Sequence, residues 1–141
     1  MFMGEFNHTL DEKSRIIIPS KFRNQLGDSF VLTRWMEKSL FGFSLEEWDK
    51  FEKKLSQLPL GGRDARKFKR FVLAGATEAQ FDKQGRIIIP ANLKEYAGLK
   101  KDAIVIGSGN GFEIWDKDTW NNYADSAADD FDDIADGLVD F

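Results

Sequence analysis

Leu10-Asp11-Glu12-Lys13-Ser14-Arg15-Ile16-Ile17-Ile18-Pro19 returns, 71 residues later, as Phe81-Asp82-Lys83-Gln84-Gly85-Arg86-Ile87-Ile88-Ile89-Pro90. The shared core is Asp-x-x-x-Arg-Ile-Ile-Ile-Pro, and Gly27 and Gly98 keep the same offset. Self-similarity of this kind marks a duplicated supersecondary unit. Downstream, Trp48 and Trp120 align at an offset of 72, with Leu40 and Phe43 opposite Phe112 and Trp115, which implies a one-residue length change. The chain therefore reads as two copies of one unit, at about 6–48 and 77–120.

Within each copy, 6–10 and 77–81 read as short strands. Polar turns at 11–14 and 82–85 lead into isoleucine triplets of high β-propensity, so each copy is expected to open with a hairpin. Gly85 suits a positive-φ position at the end of such a turn; Ser14 suits it less, and a differently shaped first hairpin is expected. Pro19 and Pro90 open short helices at 19–26 and 90–97, each stopped by its glycine. Strands near 30–34 with 40–43, and 103–106 with 112–115, complete a β-β-α-β-β unit.

The material between the copies, 44–75, is a helical linker. Ser44 and Glu47 form a capping box ahead of Leu45, Trp48, Phe51, Leu55 and Leu58, which recur on one helical face. Pro59-Leu60-Gly61-Gly62 breaks that helix, and Asp64 is expected to cap a second one running through Ala74. After the second copy, Trp120, Tyr123, Ala127, Phe131, Ile134 and Leu138 stripe an acidic helix that is expected to fray beyond about residue 130.

Composition narrows the chemistry. The 141 residues are about one domain, assigned to 1–124, with an acidic tail at 125–141. That tail holds seven aspartates and no Lys or Arg, so the net charge of −4 divides into −7 for the tail and +3 for the body. Local fields rather than whole-chain totals attract a ligand within a Debye length, so a nucleic-acid partner stays open. No apolar run is long enough to span a bilayer, and no membrane partner is expected. Met1 to Phe6 lacks the features of a secretory signal, so a cytoplasmic location is expected. The lack of cysteine excludes thiolate chemistry, a single histidine, His8, removes most His-based metal and triad chemistry, and no metal or cofactor is expected.

The stretches Gly4 to Arg15, Asp82 to Arg86, Arg66 to Ala76 and Glu113-Ile114-Trp115-Asp116-Lys117 together resemble the MraZ family, over nearly the whole chain. The resemblance implies an α+β fold. Two tandem β-β-α-β-β halves of the AbrB-like, swapped-hairpin kind would interlock into one β-barrel-like domain with added helices. It further implies a bacterial, nucleoid-associated transcriptional regulator that binds short direct repeats in double-stranded DNA upstream of its own division and cell-wall operon. Such proteins assemble into homo-oligomeric rings, commonly of eight subunits. In the family's double motif the arginines, here Arg15 and Arg86, are implicated in DNA contact. Glycine usually precedes them: Gly85 conforms and Ser14 departs.

Spacing alone leaves two readings of Arg15 and Arg86: strand-entry arginines that pair with the aspartate four residues earlier, or a guanidinium array facing DNA. The resemblance favours the second, in which Arg reads guanine bidentately or clamps phosphate. Asp11 and Asp82 then act as orienting partners or turn caps. Lys13 and Lys83 either touch the DNA backbone or are solvated turn lysines. The cluster Arg63, Arg66, Lys67, Lys69 and Arg70 is read chiefly as a solvated face or a pairing surface for a neighbouring subunit's acids, with DNA contact the lesser alternative. His8 is read as a half-buried strand residue. Asp11 and Asp82 as a catalytic dyad lack the small hydroxyl and glycine residues that should follow them, so no enzyme activity and no small-molecule substrate are expected. Gly107-Ser108-Gly109-Asn110-Gly111 leads into a strand, so it reads as a hairpin turn rather than a phosphate loop. The competing reading of the whole chain is a ring-forming protein-interaction module without specific DNA binding.

Overall fold

In the computed structural model, which describes residues 1–139, the first copy supplies β1 (Glu5–Thr9), β2 (Arg15–Ile17), α1 (Ser20–Leu26), β3 (Ser29–Arg34) and β4 (Leu40–Phe43). The linker forms α2 (Leu45–Ser56) and α3 (Arg63–Gly75). The second copy adds β5 (Thr77–Gln80), β6 (Arg86–Ile88), α4 (Ala91–Tyr96), β7 (Asp102–Gly107) and β8 (Phe112–Asp116), and α5 (Lys117–Gly137) follows. Asp140 and Phe141 of the acidic tail lie outside the described residues.

Several local signals act as the sequence reading expects. Ser44 Oγ accepts from the Glu47 N–H at 3.1 Å and starts α2. Gly27 and Gly98, at φ +80° and +61°, end α1 and α4 in a region that side chains with a Cβ disfavour. Others differ. Pro19 and Pro90 stand one residue ahead of their helices, in extended conformation. Asp64 does not cap α3; Gly62 does, without a side-chain bond, and Asp64 lies in the first turn, where its charge suits the helix dipole. Helix α5 runs to Gly137, past the expected fraying point.

The larger departure concerns pairing: neither copy forms its opening hairpin. β1 pairs with β7, β5 with β3, and β2 with β6, all antiparallel, so each first strand joins the other copy's sheet. An isolated two-stranded hairpin is marginal in water, whereas exchange gives every strand a partner with a buried face. The result is a six-stranded sheet in the order β1-β7-β8-β4-β3-β5 and a separate β2-β6 ribbon. β1 and β5 stand at opposite ends of that order, so hydrogen bonding does not close the expected barrel.

The registers define an internal twofold axis. The β2-β6 ladder is symmetric about the Ile16–Ile87 pair, and the β4-β8 ladder about Phe41–Glu113. Between those points lies the core. Ile16, Ile18, Ile87 and Ile89 are at most 1% exposed and turn the inner face of the ribbon onto Phe22, Phe30 and Phe112 of the large sheet and α1. Burying each such side chain is worth roughly 1.5–3 kcal/mol. Phe112 is central, with Phe2, Phe22 and Phe30 around it at 5.3–6.1 Å between ring centroids. On the opposite face of the sheet, Trp35, Phe41, Phe43, Trp48 and Phe51 seat α2, and Trp115, Trp120 and Tyr123 seat the start of α5.

Candidate nucleic-acid interface

Strand alternation decides what the ribbon shows outward. With Ile16 and Ile87 packed inside, period-two geometry turns Arg15, Ile17, Arg86 and Ile88 to the other face. Arg15 lies opposite Ile88 and Ile17 opposite Arg86, so the two arginines are diagonal neighbours on one surface. Each arginine side chain is about a quarter exposed, at 27% and 26%. They are neither sealed inside the protomer nor sent to opposite poles.

Each guanidinium is oriented by its turn. Asp11 Oδ1 accepts from the backbone N–H groups of Lys13 and Arg15, both at 2.9 Å, while Arg15 Nε donates to Asp11 Oδ2 at 2.6 Å. The second turn repeats the pattern: Asp82 Oδ1 accepts from Gln84 and Arg86 at 2.9 Å, and Arg86 Nε donates to Asp82 Oδ2 at 2.7 Å. Because Nε makes the internal bond, the terminal nitrogens stay available; Arg86 Nη1 approaches Asp11 Oδ2 only to 3.9 Å. The backbone N–H groups, first of all that of Arg15 or Arg86, hold both carboxyls below the ordinary carboxylate range. Each carboxylate spends both oxygens on its own turn and arginine, the geometry of an orienting partner.

The first turn is not shaped differently after all. Ser14 takes φ +59° and Gly85 φ +78°, and both turns close with equivalent backbone bonds, 3.0 Å from Ser14 to Asp11 and 3.1 Å from Gly85 to Asp82. The compensation lies across the axis. Arg23 of α1 and Lys94 of α4 are related by the repeat offset of 71. A Cβ on Gly85 would collide with the Arg23 guanidinium, whose Nη1 donates to Ile18 O at 2.6 Å. Over Ser14 stands the shorter Lys94, whose Nζ donates to Ser14 Oγ at 3.1 Å. A larger turn residue is thus matched to a slimmer cation on the other copy.

Lys13 and Lys83 are both exposed, but they are not equivalents. Lys13 corresponds to Gln84, and Lys83 to Glu12. Ile17 and Ile88, 43% and 65% exposed, belong to the arginine face and were missed by the sequence reading, although alternation outward from Arg15 would have found them. Arg23 and Lys94 were missed as well, because only the fold carries them to the opposite copy's turn. The basic side chains of α3 lie on another element, beside Arg34. His8 is a half-buried strand residue whose pKa burial lowers. The loop at 107–111 is a turn, with Ser108 N–H donating to Gly111 O at 2.9 Å. Burial raises Glu113, whose Oε1 is held by Trp115 Nε1 at 2.8 Å. Among the described residues no helix is long and apolar enough to cross a membrane.

A family model described as "MraZ protein, putative antitoxin-like" matches residues 1–71 and again 72–141. Among curated proteins, Transcriptional regulator MraZ of Oenococcus oeni is 67% identical over 141 residues, covering 100% of this chain and 99% of its own. The proteins of that name from Leuconostoc mesenteroides and Ligilactobacillus salivarius are 62% and 55% identical with the same coverage. A solved structure, PHS018 from Pyrococcus horikoshii, covers 81% of this chain and 88% of its own at 17% identity, with a TM-score of 0.34, and bears no weight here. With both halves matched and close relatives spanning its full length, this chain belongs to the MraZ family.

Proposed function

We propose that the chain is a sequence-specific DNA-binding transcriptional regulator whose contact surface is the outward face of β2 and β6. The observation that carries this is the pair of aspartate-oriented guanidiniums, Arg15 and Arg86, set diagonally on one exposed ribbon. A two-stranded β-ribbon is admitted by the major groove, where Arg reads guanine and an apolar side chain meets the thymine methyl. Ile17 and Ile88 are placed for the second role. Lys13 and Lys83, at the turn tips, would neutralise phosphates and set register. The close relatives bear a regulator's name rather than an enzyme's.

In this reading, residues 1–124 form one domain of two AbrB-like repeats and 125–141 an acidic tail. The protein works in the cytoplasm at the nucleoid, on short direct repeats upstream of its own division and cell-wall operon. A homo-oligomeric ring of about eight subunits would engage several repeats at once, with avidity set by effective concentration. Fluorescence anisotropy with the fragment upstream of the reading frame and with a shuffled duplex, at two salt concentrations, tests it. Saturable preference for the upstream fragment is expected, with log K falling by roughly 0.9 per phosphate neutralised for each unit of log salt. Equal binding to both duplexes would favour the interaction-module reading.

A further inference from the structure

Away from the ribbon, two surfaces of opposite charge lack partners. Arg63, Arg66, Lys67, Arg70 and Phe71 follow one face of α3 and, with Arg34 of β3, line a groove of about 500 Å³. Among the described residues none of these five cations has a carboxylate within ion-pairing distance. Arg34 lies over the Phe71 ring at 4.2 Å, and among the described residues its buried Nε has no acceptor. Buried donors ordinarily find one.

The other surface is the distal half of α5. From Ala128 to Gly137 every residue but Ala135 is exposed, so this stretch buries little against the rest of the described residues. By helical spacing Ala127, Phe131, Ile134 and Leu138 form an apolar stripe, flanked by Asp130 and Asp132. Phe131 and Ile134 are 66% and 52% exposed. The last turns hold Asp132, Asp133 and Asp136 with no basic residue, the wrong sign for a helix C-terminus. A lone helix with that charge pattern gains from a cationic, partly apolar seat.

We propose that the distal half of α5 docks into the α3–Arg34 groove of a second copy of this chain. Every copy carries both faces, so the contact is head-to-tail and propagates into a closed ring or a filament according to its rotation. Phe131 and Ile134 would meet Phe71 and the neighbouring Phe68, while the aspartates meet the groove cations. The proposal rests on the reading of the chain as a homo-oligomer and names the surfaces that make it one.

Light scattering after size exclusion, with circular dichroism to confirm folding, tests it on the full chain. Lys67→Glu/Arg70→Glu and Asp130→Lys/Asp132→Lys should each raise the concentration for half-assembly at least about tenfold. Combining all four changes in one chain should restore assembly, because opposite charges again face one another. Truncation after Tyr123 should mimic the double variants. A monomeric wild-type chain would overturn both the oligomer and this interface. An assembled wild type whose mass is unmoved by either pair, or whose loss the quadruple variant fails to reverse, would overturn this interface alone. If mass holds while the α3 variant lowers binding to random duplex, the groove is a phosphate surface and the proposal fails.

Discussion

Replacing Gly85 by alanine tests the cross-copy matching of turn and helix. The new Cβ meets two obstacles. A φ of +78° costs a residue with a Cβ about 1–2 kcal/mol. The added carbon also displaces the Arg23 guanidinium and with it the 2.6 Å bond to Ile18 O, worth about 1 kcal/mol. The expected loss is about 2–3 kcal/mol, measured as a shift in urea midpoint at constant slope. At the related site, Ser14→Gly relieves about 1 kcal/mol of strain. It gives up the Lys94 bond and adds unfolded-state entropy, each about 0.5 kcal/mol, for a net change near zero. Gly85→Ser with Arg23→Lys reproduces the first copy's pairing and should recover about 1 kcal/mol over Gly85→Ser alone. If Gly85→Ala stays within about 0.5 kcal/mol of the parent, or costs no more than Ser14→Gly, the matching argument is wrong.

Arg15→Ala/Arg86→Ala should cost each site about 1–3 kcal/mol of specific DNA binding yet leave the fold intact, since solvent screens both ion pairs; unimpaired binding by the folded double variant sinks the assignment. Ile17→Ser/Ile88→Ser should shift thermal stability little while weakening upstream-fragment binding several-fold, by about 1 kcal/mol, in the same anisotropy assay. Asp11 and Asp82 have folded pKa values below the ordinary 3.8, so their stabilisation of the turns is complete above that value and is lost as pH falls through the lowered ones. Accordingly, Asp11→Asn/Asp82→Asn should flatten the acid limb of a pH–stability curve. His8 has a folded pKa below 6.5, so its protonation opposes folding and stability should decline as pH drops through 6.5; His8→Asn should remove that slope.

Much of the candidate site was readable from one strand of reasoning. Asp-x-x-x-Arg, twice, gave the aspartate that folds each turn and the arginine it holds, because an Asx turn and an i,i+4 ion pair are both local in sequence. That Lys13 and Lys83 are not equivalents follows from the repeat offset of 71, which sets them one step apart in their turns. The outward exposure of Ile17 and Ile88 was legible only by alternation from Arg15 and Arg86. Three consecutive isoleucines look like one apolar run, and only a ladder with one face on a core separates the middle residue from its neighbours.

Local chemistry, then, was determined by the chain itself: the duplicated turns, the Ser44 cap, the helices ended by Gly27 and Gly98, and the four-residue link between each aspartate and its arginine. These depend on bonds among residues a few positions apart. The tertiary structure alone decided which strands pair, and so it set Arg15 beside Arg86, Arg23 over Gly85 and Lys94 over Ser14. Antiparallel strands of similar composition carry little information about their partner in sequence. The choice falls to the arrangement that buries the four inward isoleucines on one phenylalanine cluster, a quantity that exists only once both copies have come together.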